Sequence, residues 1–379
     1  ERGAAMSIKI FTFTHKKFQI PPDKMYQPLQ VGHFGKEDLG YWCDDTGEHI
    51  SNLNCYYSEL TGFYWIWKNY HEDDYIGTCH YRRYLLNRFD KIFTKKEYEE
   101  LLKEYDMVTT LRVQLNNSYY DGFSANHNIH ALDVTGEVIQ EKYPEYYPDF
   151  VRLVHSNETY FGNILVTSHA LFDDYCTWLF SIFFEVQKRI NLETGEDDYH
   201  KRVFGFISEF LLLVFVTTRK LKVYECKVGM LGEKAETREV KEKLADFFAK
   251  KDVVGAKQYF LQTLQHRPDV LMEASDVTGE LKLSMQVLAT MEQEEKKGLP
   301  ILLERSCDFA ELMKEFTVLN HVVLKARNGI VEEDNIAVLK EKRISTEEIR
   351  VAVLMLKGSD EEKERLYSFL EQKITAKEC

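Results

Sequence analysis

The feature that most constrains the fold is a break in composition near residue 230. Of the chain's 50 aromatic residues only eight lie beyond it, and all four tryptophans (Trp42, Trp65, Trp67, Trp178) lie before it. An aromatic-rich stretch can build one large shared core, whereas a Lys/Glu-rich stretch buries only the apolar stripes of separate helices. Two domains are therefore expected, 6–230 and 231–379, each near the usual size of about 100–200 residues.

Within the first domain, 8–14 reads as a strand ending in His15-Lys16-Lys17. Residues 53–70 lack proline and space Leu53, Tyr57, Leu60, Tyr64 and Trp67 at steps of three and four, which predicts one amphipathic helix. A strand follows at 75–79, a helix capped near Thr94 runs to Leu102, and 105–109 supplies another short strand. Asn116-Asn117, Asp121-Gly122, Pro144 and Pro148 punctuate 111–150, where loops and one helix are expected. A strand around Gly162-Asn163 (160–167), helices at 168–189 and 199–217 and a strand at 221–226 close the domain. Such alternation favours a doubly wound α/β sheet. Beyond it, the period of 237–250, 253–265, 276–296, 307–326, 332–341, 345–356 and 359–375 predicts an all-α domain of helix hairpins without a fixed repeat. Its composition suits a packing appendage or a homodimer interface.

The formal net charge of −13 argues against nucleic acid as a partner, because phosphate neutralisation needs broad basic surface. The longest wholly apolar run, 210–216, is far short of the about 20 residues a membrane helix needs. Glu1 to Ala5, ahead of Met6, reads as a cloning remnant with no secretory signal after it. Seven scattered cysteines without a C-x-x-C pair suggest reduced thiols rather than a disulfide framework or a zinc site. A cytoplasmic protein is expected, at most peripheral to the inner face of the cell membrane.

At the end of the 75–79 strand stand His80, Arg82 and Arg83, flanked by Tyr81 and Tyr84. They are either surface ion-pairing residues or a diphosphate clamp, since guanidinium forks match phosphate oxygens and strand ends are where α/β proteins hold ligands. If the chain stays extended, His80, Arg82 and Tyr84 point one way and Tyr81 and Arg83 the other, leaving one arginine toward a ligand. Thr14, His15 and Lys16 are either a polar loop or a second basic rim on the same sheet edge. Acid–base candidates are Asp133, close to His127 and His130, then Glu158 before Tyr160-Phe161-Gly162-Asn163, and Glu209 inside an otherwise apolar helix, where a carboxylate needs a partner or a raised pKa. No Ser-His-Asp, Walker or Gly-x-Gly-x-x-Gly pattern is present.

Four words of the sequence together resemble a known family: Tyr57-Ser58-Glu59-Leu60-Thr61-Gly62-Phe63-Tyr64-Trp65, Cys79-His80-Tyr81-Arg82-Arg83-Tyr84, Phe161-Gly162-Asn163-Ile164, and Lys201-Arg202-Val203-Phe204-Gly205-Phe206-Ile207-Ser208-Glu209. They are similar to the family of unknown function numbered 4422, found in bacterial capsular and exopolysaccharide clusters. The resemblance covers about residues 8–228. It implies a glycosyltransferase of GT-A-like fold with a mixed sheet, some relatives being associated with galactosyl or galactofuranosyl transfer. It further implies a UDP-sugar donor and a glycan or lipid-linked acceptor. Donor-binding residues would be Thr14, His15, Lys16, Asn54, Ser58, Glu59, His80, Arg82 and Arg83, with His127, His130, Gly162 and Asn163 toward the acceptor. Transferases of this fold often hold Mn²⁺ or Mg²⁺ with Asp-x-Asp, which this chain lacks; Glu72-Asp73-Asp74 reads as a solvated turn. No cofactor or metal is therefore expected, with arginine supplying the charge. The family word usually continues Ser-Glu-Arg, whereas Phe210 follows Glu209 here. A noncatalytic nucleotide-sugar- or glycan-binding scaffold is the alternative.

Overall fold

Alternate residues of the first strand are apolar on both sides, and both sides are buried. Ile8 and Ile10 enter a cluster with Tyr84, Leu85, Tyr98 and Val166, whereas Phe11 and Phe13 enter the larger aromatic core with Phe63, Phe172 and Phe210. This two-sided burial marks a sheet covered on both faces. A computed structural model describes residues 6–193, 197–271 and 275–376 and divides after Leu231 into two units.

The strands of the first unit are β1 (Ile8–Thr14), β2 (Tyr26–Gln30), β3 (Trp42–Cys43), β4 (Tyr75–His80), β5 (Arg83–Leu85), β6 (Met107–Thr110), β7 (Val113–Gln114), β8 (Glu158–Thr159), β9 (Leu165–Ser168), β10 (Val223–Cys226) and β11 (Val228–Met230). Its helices are α1 (Asn54–Tyr57), α2 (Leu60–Asn69), α3 (Lys95–Leu101), α4 (Tyr119–Asn126), α5 (Ile129–Lys142), α6 (Tyr147–Val154), α7 (His169–Arg189) and α8 (Val203–Thr218). The main sheet has the order β10-β6-β9-β4-β1-β2-β3. It is mixed: β9 runs antiparallel to β4 and β6, while the remaining pairs along this path are parallel. The carboxyl ends of β1, β2, β4 and β6 thus share one edge. The loop leading into β9 arrives at that same edge.

Several expectations are corrected. The predicted 53–70 helix breaks at Ser58, which has φ +50°. Asn54 Nδ2 holds the break by donating to Ser58 O (2.8 Å) and Thr61 Oγ1 (3.1 Å). The apolar period continues across the break, so periodicity does not report it. The 111–150 region holds three helices rather than one, because Pro148 sits in the first turn of α6, a position that needs no N–H donor. Gly162 and Asn163 both have positive φ (+97° and +50°) and lie in a loop, with β9 beginning only at Leu165. Asp74 of the expected solvated turn accepts from Ser7 N (3.0 Å) and Oγ (2.9 Å), stapling the start of β4 to the start of β1. By contrast, the cap on α3 is as expected, a capping box between Thr94 and Glu97.

The second unit comprises α9 (Ala235–Ala249), α10 (Val253–His266), α11 (Glu280–Lys296), α12 (Leu302–Arg305), α13 (Phe309–Arg327), α14 (Glu333–Glu341), α15 (Thr346–Leu354) and α16 (Asp360–Thr375) around its own apolar core. Helix α11 starts later than its period suggests, because Asp276 caps it by accepting from Leu281 N (3.1 Å) and Lys282 N (3.0 Å). Arg305 on α12 donates to both oxygens of the fully buried Glu348 (3.0 and 2.9 Å) and so ties α12 to α15. Among the described residues, no helix is long and apolar enough to cross a membrane.

Candidate active site

The site grows from the carboxyl ends of β1 and β4. Phe13 of β1 lies beside His80 of β4 in parallel register, and Tyr81 N donates to Phe13 O (3.0 Å). Past His80 the chain turns back instead of staying extended. Strand β5 returns antiparallel with Arg83 opposite His80. Cross-strand partners share a face, so the turn brings together the two side chains that an extended chain would have separated. Arg82 occupies the turn itself, is buried, and accepts Leu231 N on its carbonyl (2.8 Å).

Against this hairpin lies the left-handed pair Gly162-Asn163, which ties three further segments to it. Gly162 N donates to Glu209 Oε1 (2.7 Å), and Gly162 O pairs with His80 Nε2 (2.7 Å). A carbonyl only accepts, so Nε2 carries the proton and Nδ1 is left as an acceptor. Asn163 Nδ2 donates to Glu59 Oε1 (2.6 Å) and Gly205 O (3.2 Å), while Asn163 Oδ1 accepts from Ser208 Oγ (3.1 Å). Gly205 has no side chain for a reason: a Cβ there would stand 3.0 Å from Ser58 Cβ. The α1–α2 break, the β4–β5 hairpin, the loop before β9 and the start of α8 therefore meet around Glu59, His80, Arg83 and Glu209.

The electrostatics follow from this crowding. Burial, reinforced by the negative charge of Glu59, pushes the Glu209 carboxyl up to about 8 despite the opposing Gly162 N–H, Arg83 and Arg202. Burial lowers the His80 pKa; Glu59 opposes this and Arg83 adds to it. His80 and Glu209 are densely surrounded yet keep partial access to solvent. Arg83 makes no ion pair among the described residues, so its guanidinium remains available to an anion. Near neutral pH the site thus combines a neutral imidazole, a carboxyl able to gain or lose a proton, and a fixed positive charge.

The other expected residues distribute unevenly. Thr14 is buried, and its hydroxyl bonds Lys16 O (2.5 Å) and Lys16 N (3.0 Å), shaping the loop after β1. The exposed His15 ring packs edge-on against Tyr81 of the hairpin, with ring centres 5.4 Å apart. Asn54 and Ser58 build the helix break from behind. His127 lies beside Phe206 (4.2 Å between ring centres) and near Arg202, and burial first, then His200 and Arg202, push its pKa down to about 4. His130 and Asp133 are exposed, and Asp133 accepts from Tyr120 Oη (3.0 Å) on the α4–α5 surface. Glu158 accepts from Gln114 Nε2 (2.6 Å) and pairs with Arg112 (3.4 Å) where β7 meets β8.

Two contributors escape the sequence reading. Arg202 occupies the N-cap position of α8 without a side-chain capping bond, stacks over Tyr199 (4.8 Å) and acts on Glu209. A cation at that helix end opposes the dipole, and this was the signal available. The second is Asp44, fully buried after β3, which accepts from Gly32 N (2.8 Å), His33 N (3.1 Å), Ser51 Oγ (2.5 Å) and Thr61 Oγ1 (2.5 Å). Nothing local marks it. A divalent ion of the Asp-x-Asp kind does not fit the His80 cluster: Glu59 and Glu209 each bond an Asn163 or Gly162 N–H, and the charge of Arg83 acts on Glu209. Asp73 and Asp74 lie at the opposite, amino end of β4.

The chain matches the family described as Domain of unknown function (DUF4422) over residues 9–220, a span that holds all four segments of the site. None of the curated proteins matches it. Among solved structures it is similar to the apo structure of the WbbM bifunctional glycosyltransferase, with 26% identity and a TM-score of 0.54 over 60% of this chain and 46% of that one. It thus spans less than half the length of that chain. A mixed α/β unit followed by a helical one is the GT-A-like arrangement expected from the sequence. The chain belongs to the DUF4422 family.

Proposed function

We propose that the first unit is a glycosyltransferase that moves a hexose, galactofuranose or galactose by preference, from a UDP-sugar to a glycan or glycolipid acceptor in bacterial surface polysaccharide synthesis. The observation that carries this reading is the meeting of Arg83 and His80 with the proton-holding Glu209 at the carboxyl edge of the sheet. The similarity to a chain titled a glycosyltransferase supports the reaction class; the family resemblance supports the UDP donor and the sugar. Arg83, aided by Arg82 and His80, neutralises the diphosphate as it leaves, which is worth most in a partly desolvated, preorganised cleft. Thr14, His15 and Lys16 border the nucleotide, and Glu59 holds the Asn163 loop against the donor pocket. Glu209 takes the proton of the acceptor hydroxyl in an inverting transfer, ahead of Asp133 and Glu158, which are engaged elsewhere. No divalent metal takes part.

The test is UDP release from UDP-galactose, UDP-galactofuranose, UDP-glucose and N-acetylated donors, with and without EDTA. Turnover of at least one donor is expected to persist in EDTA and to fall about 10²–10³-fold in Arg83→Ala, the cost typical of losing one oxyanion-stabilising donor. Full activity in Arg83→Ala, restoration only by Mn²⁺, or donor binding without turnover would each overturn part or all of the reading.

A further inference from the structure

The loop between β2 and β3, together with the end of β3, gathers ligating atoms to which the proposed reaction gives no role. A ring nitrogen of His33, a carboxylate oxygen of Asp38 and the sulfur of Cys43 all lie within 4.8 Å of one another. Both His33 ring nitrogens are closed off from solvent and lack a well-aligned hydrogen bond. Asp45 Oδ2 stands 2.8 Å from Nδ1, close in distance but off-line in angle, and Nε2 has no partner among the described residues. Asp38 spends one oxygen on Gly40 N (2.6 Å), and Cys43 Sγ bonds Tyr41 O (3.3 Å) and, more weakly, Gln30 Oε1 (4.0 Å). Burial and then Asp38, Asp45 and Asp44 push the Cys43 thiol up to about 11. None of these three aspartates forms an ion pair with Lys or Arg among the described residues. The pocket is therefore rich in donor atoms and negative charge and lacks a cation.

A cation would add to the side-chain hydrogen bonds that already hold the surrounding backbone, those of Asp44 to Gly32 N and His33 N and of Gln30 to Glu37 O and Leu39 N. Residues 31–41 contain no helix or strand; Gly32, Gly35 and Gly40 adopt positive φ (+64°, +72° and +76°), and β3 is only two residues long. Ordering such a segment costs entropy that sheet pairing here scarcely offsets. A cation bridging three points of it would supply that stability directly. Imidazole, thiolate and carboxylate together suit Zn²⁺, whereas Mg²⁺ and Ca²⁺ select oxygen alone. Asp45 stands at Nδ1 as the carboxylate of a carboxylate–histidine–metal arrangement, leaving Nε2 for the ion.

We propose that His33 Nε2, Asp38 and Cys43 bind one Zn²⁺-class cation, with water at the fourth tetrahedral position, and that this ion locks the β2–β3 loop onto the sheet edge. On binding, the Cys43 S–H bond breaks, a metal–thiolate bond forms and one proton passes to solvent. Binding of this ion does not depend on the proposed reaction.

The experiment uses the full chain without an affinity tag, stripped by chelator and titrated with Co²⁺ as a spectroscopic substitute. One equivalent is expected to produce a thiolate-to-cobalt charge-transfer band with release of one proton. Cys43→Ser abolishes the band, Asp45→Asn weakens Co²⁺ binding about 10–100-fold, and Cys55→Ser, which alters an exposed thiol, leaves it unchanged. Zn²⁺ raises the melting temperature of the wild type and not of Cys43→Ser. Absence of the band at excess Co²⁺, or its survival in Cys43→Ser, overturns the proposal. If Cys43→Ser does not fold, His33→Gln decides: unchanged Co²⁺ affinity overturns the site and a loss of at least tenfold supports it.

Discussion

Replacing Glu209 by Gln tests whether the protein holds a proton at its centre. Glutamine keeps an oxygen to accept Gly162 N–H, as Oε1 does at 2.7 Å, and removes the titration. Burial moves the Glu209 carboxyl from its ordinary 4.5 to about 8. The folded chain therefore retains a proton that the unfolded chain loses above 4.5, so stability falls as pH rises from 4.5 toward 8 and then levels. At about 1.4 kcal/mol per pKa unit, the interval from pH 5 to 8 would cost roughly 4 kcal/mol, or about 2 kcal/mol once partial access to water is discounted. Urea titrations followed by tryptophan fluorescence isolate the effect, because all four tryptophans lie in the first unit and the buried acids Glu294 and Glu315 lie in the second. The expected result is a shallower decline with pH in Glu209→Gln, and a variant at least as stable as the wild type at pH 8. Identical pH dependence in the two proteins would refute the argument. Under the proposed reaction, the wild-type rate also rises through pH 8, and that limb disappears in the variant.

Three further outcomes are expected. Asn163→Ala should cost about 2–4 kcal/mol by urea titration, since it leaves Ser208 and Glu59 without their amide partner and keeps a non-glycine residue at positive φ. Gly77→Ala should cost about 1–3 kcal/mol, because its Cβ would meet Ile10 Cγ1 at 2.8 Å and Val166 Cγ2 at 2.9 Å inside the sheet's core; an unchanged urea midpoint would contradict this packing. Arg305→Leu should destabilise the second unit by about 3–5 kcal/mol, read by circular dichroism, by stranding the buried Glu348 carboxylate, and acid that neutralises carboxylates should recover much of the loss.

What could be read from the sequence was whatever repeats locally. The helices of 235–375 follow from their 3.6-residue period; the four-residue α12, whose Leu302 N donates to Glu294 Oε2 (2.6 Å), and the late start of α11, where Asp276 accepts from Leu281 N and Lys282 N, depart from it. The chemistry-bearing words were also legible, and a carboxylate in the apolar α8 does have both the partner and the raised proton affinity that its surroundings demand. Geometry was not. A turn at Tyr81 and Arg82 decides that His80 faces Arg83, and a positive φ at Ser58 aims Glu59 at Asn163, yet neither changes the apolar pattern. Strand β2 stayed hidden because Pro28 interrupts it and β3 because it spans two residues. Asp44 stayed hidden because its partners lie 7–17 residues away on separate segments.

The antiparallel course of β9 between β4 and β6 has a consequence for how this protein can vary. Because β6 leaves the sheet at the edge where β9 enters it, residues 111–164 depart from and return to one place. The neck of this excursion is closed by β7 pairing with β8 and by Leu115 N donating to Asn157 O (2.7 Å). Inside that neck, α4, α5 and α6 add Phe123, Leu132, Val138 and Phe150 to the aromatic core and pack against α7 and α8, so length can change at its exposed turns, such as 116–117, while the strand register stays in place.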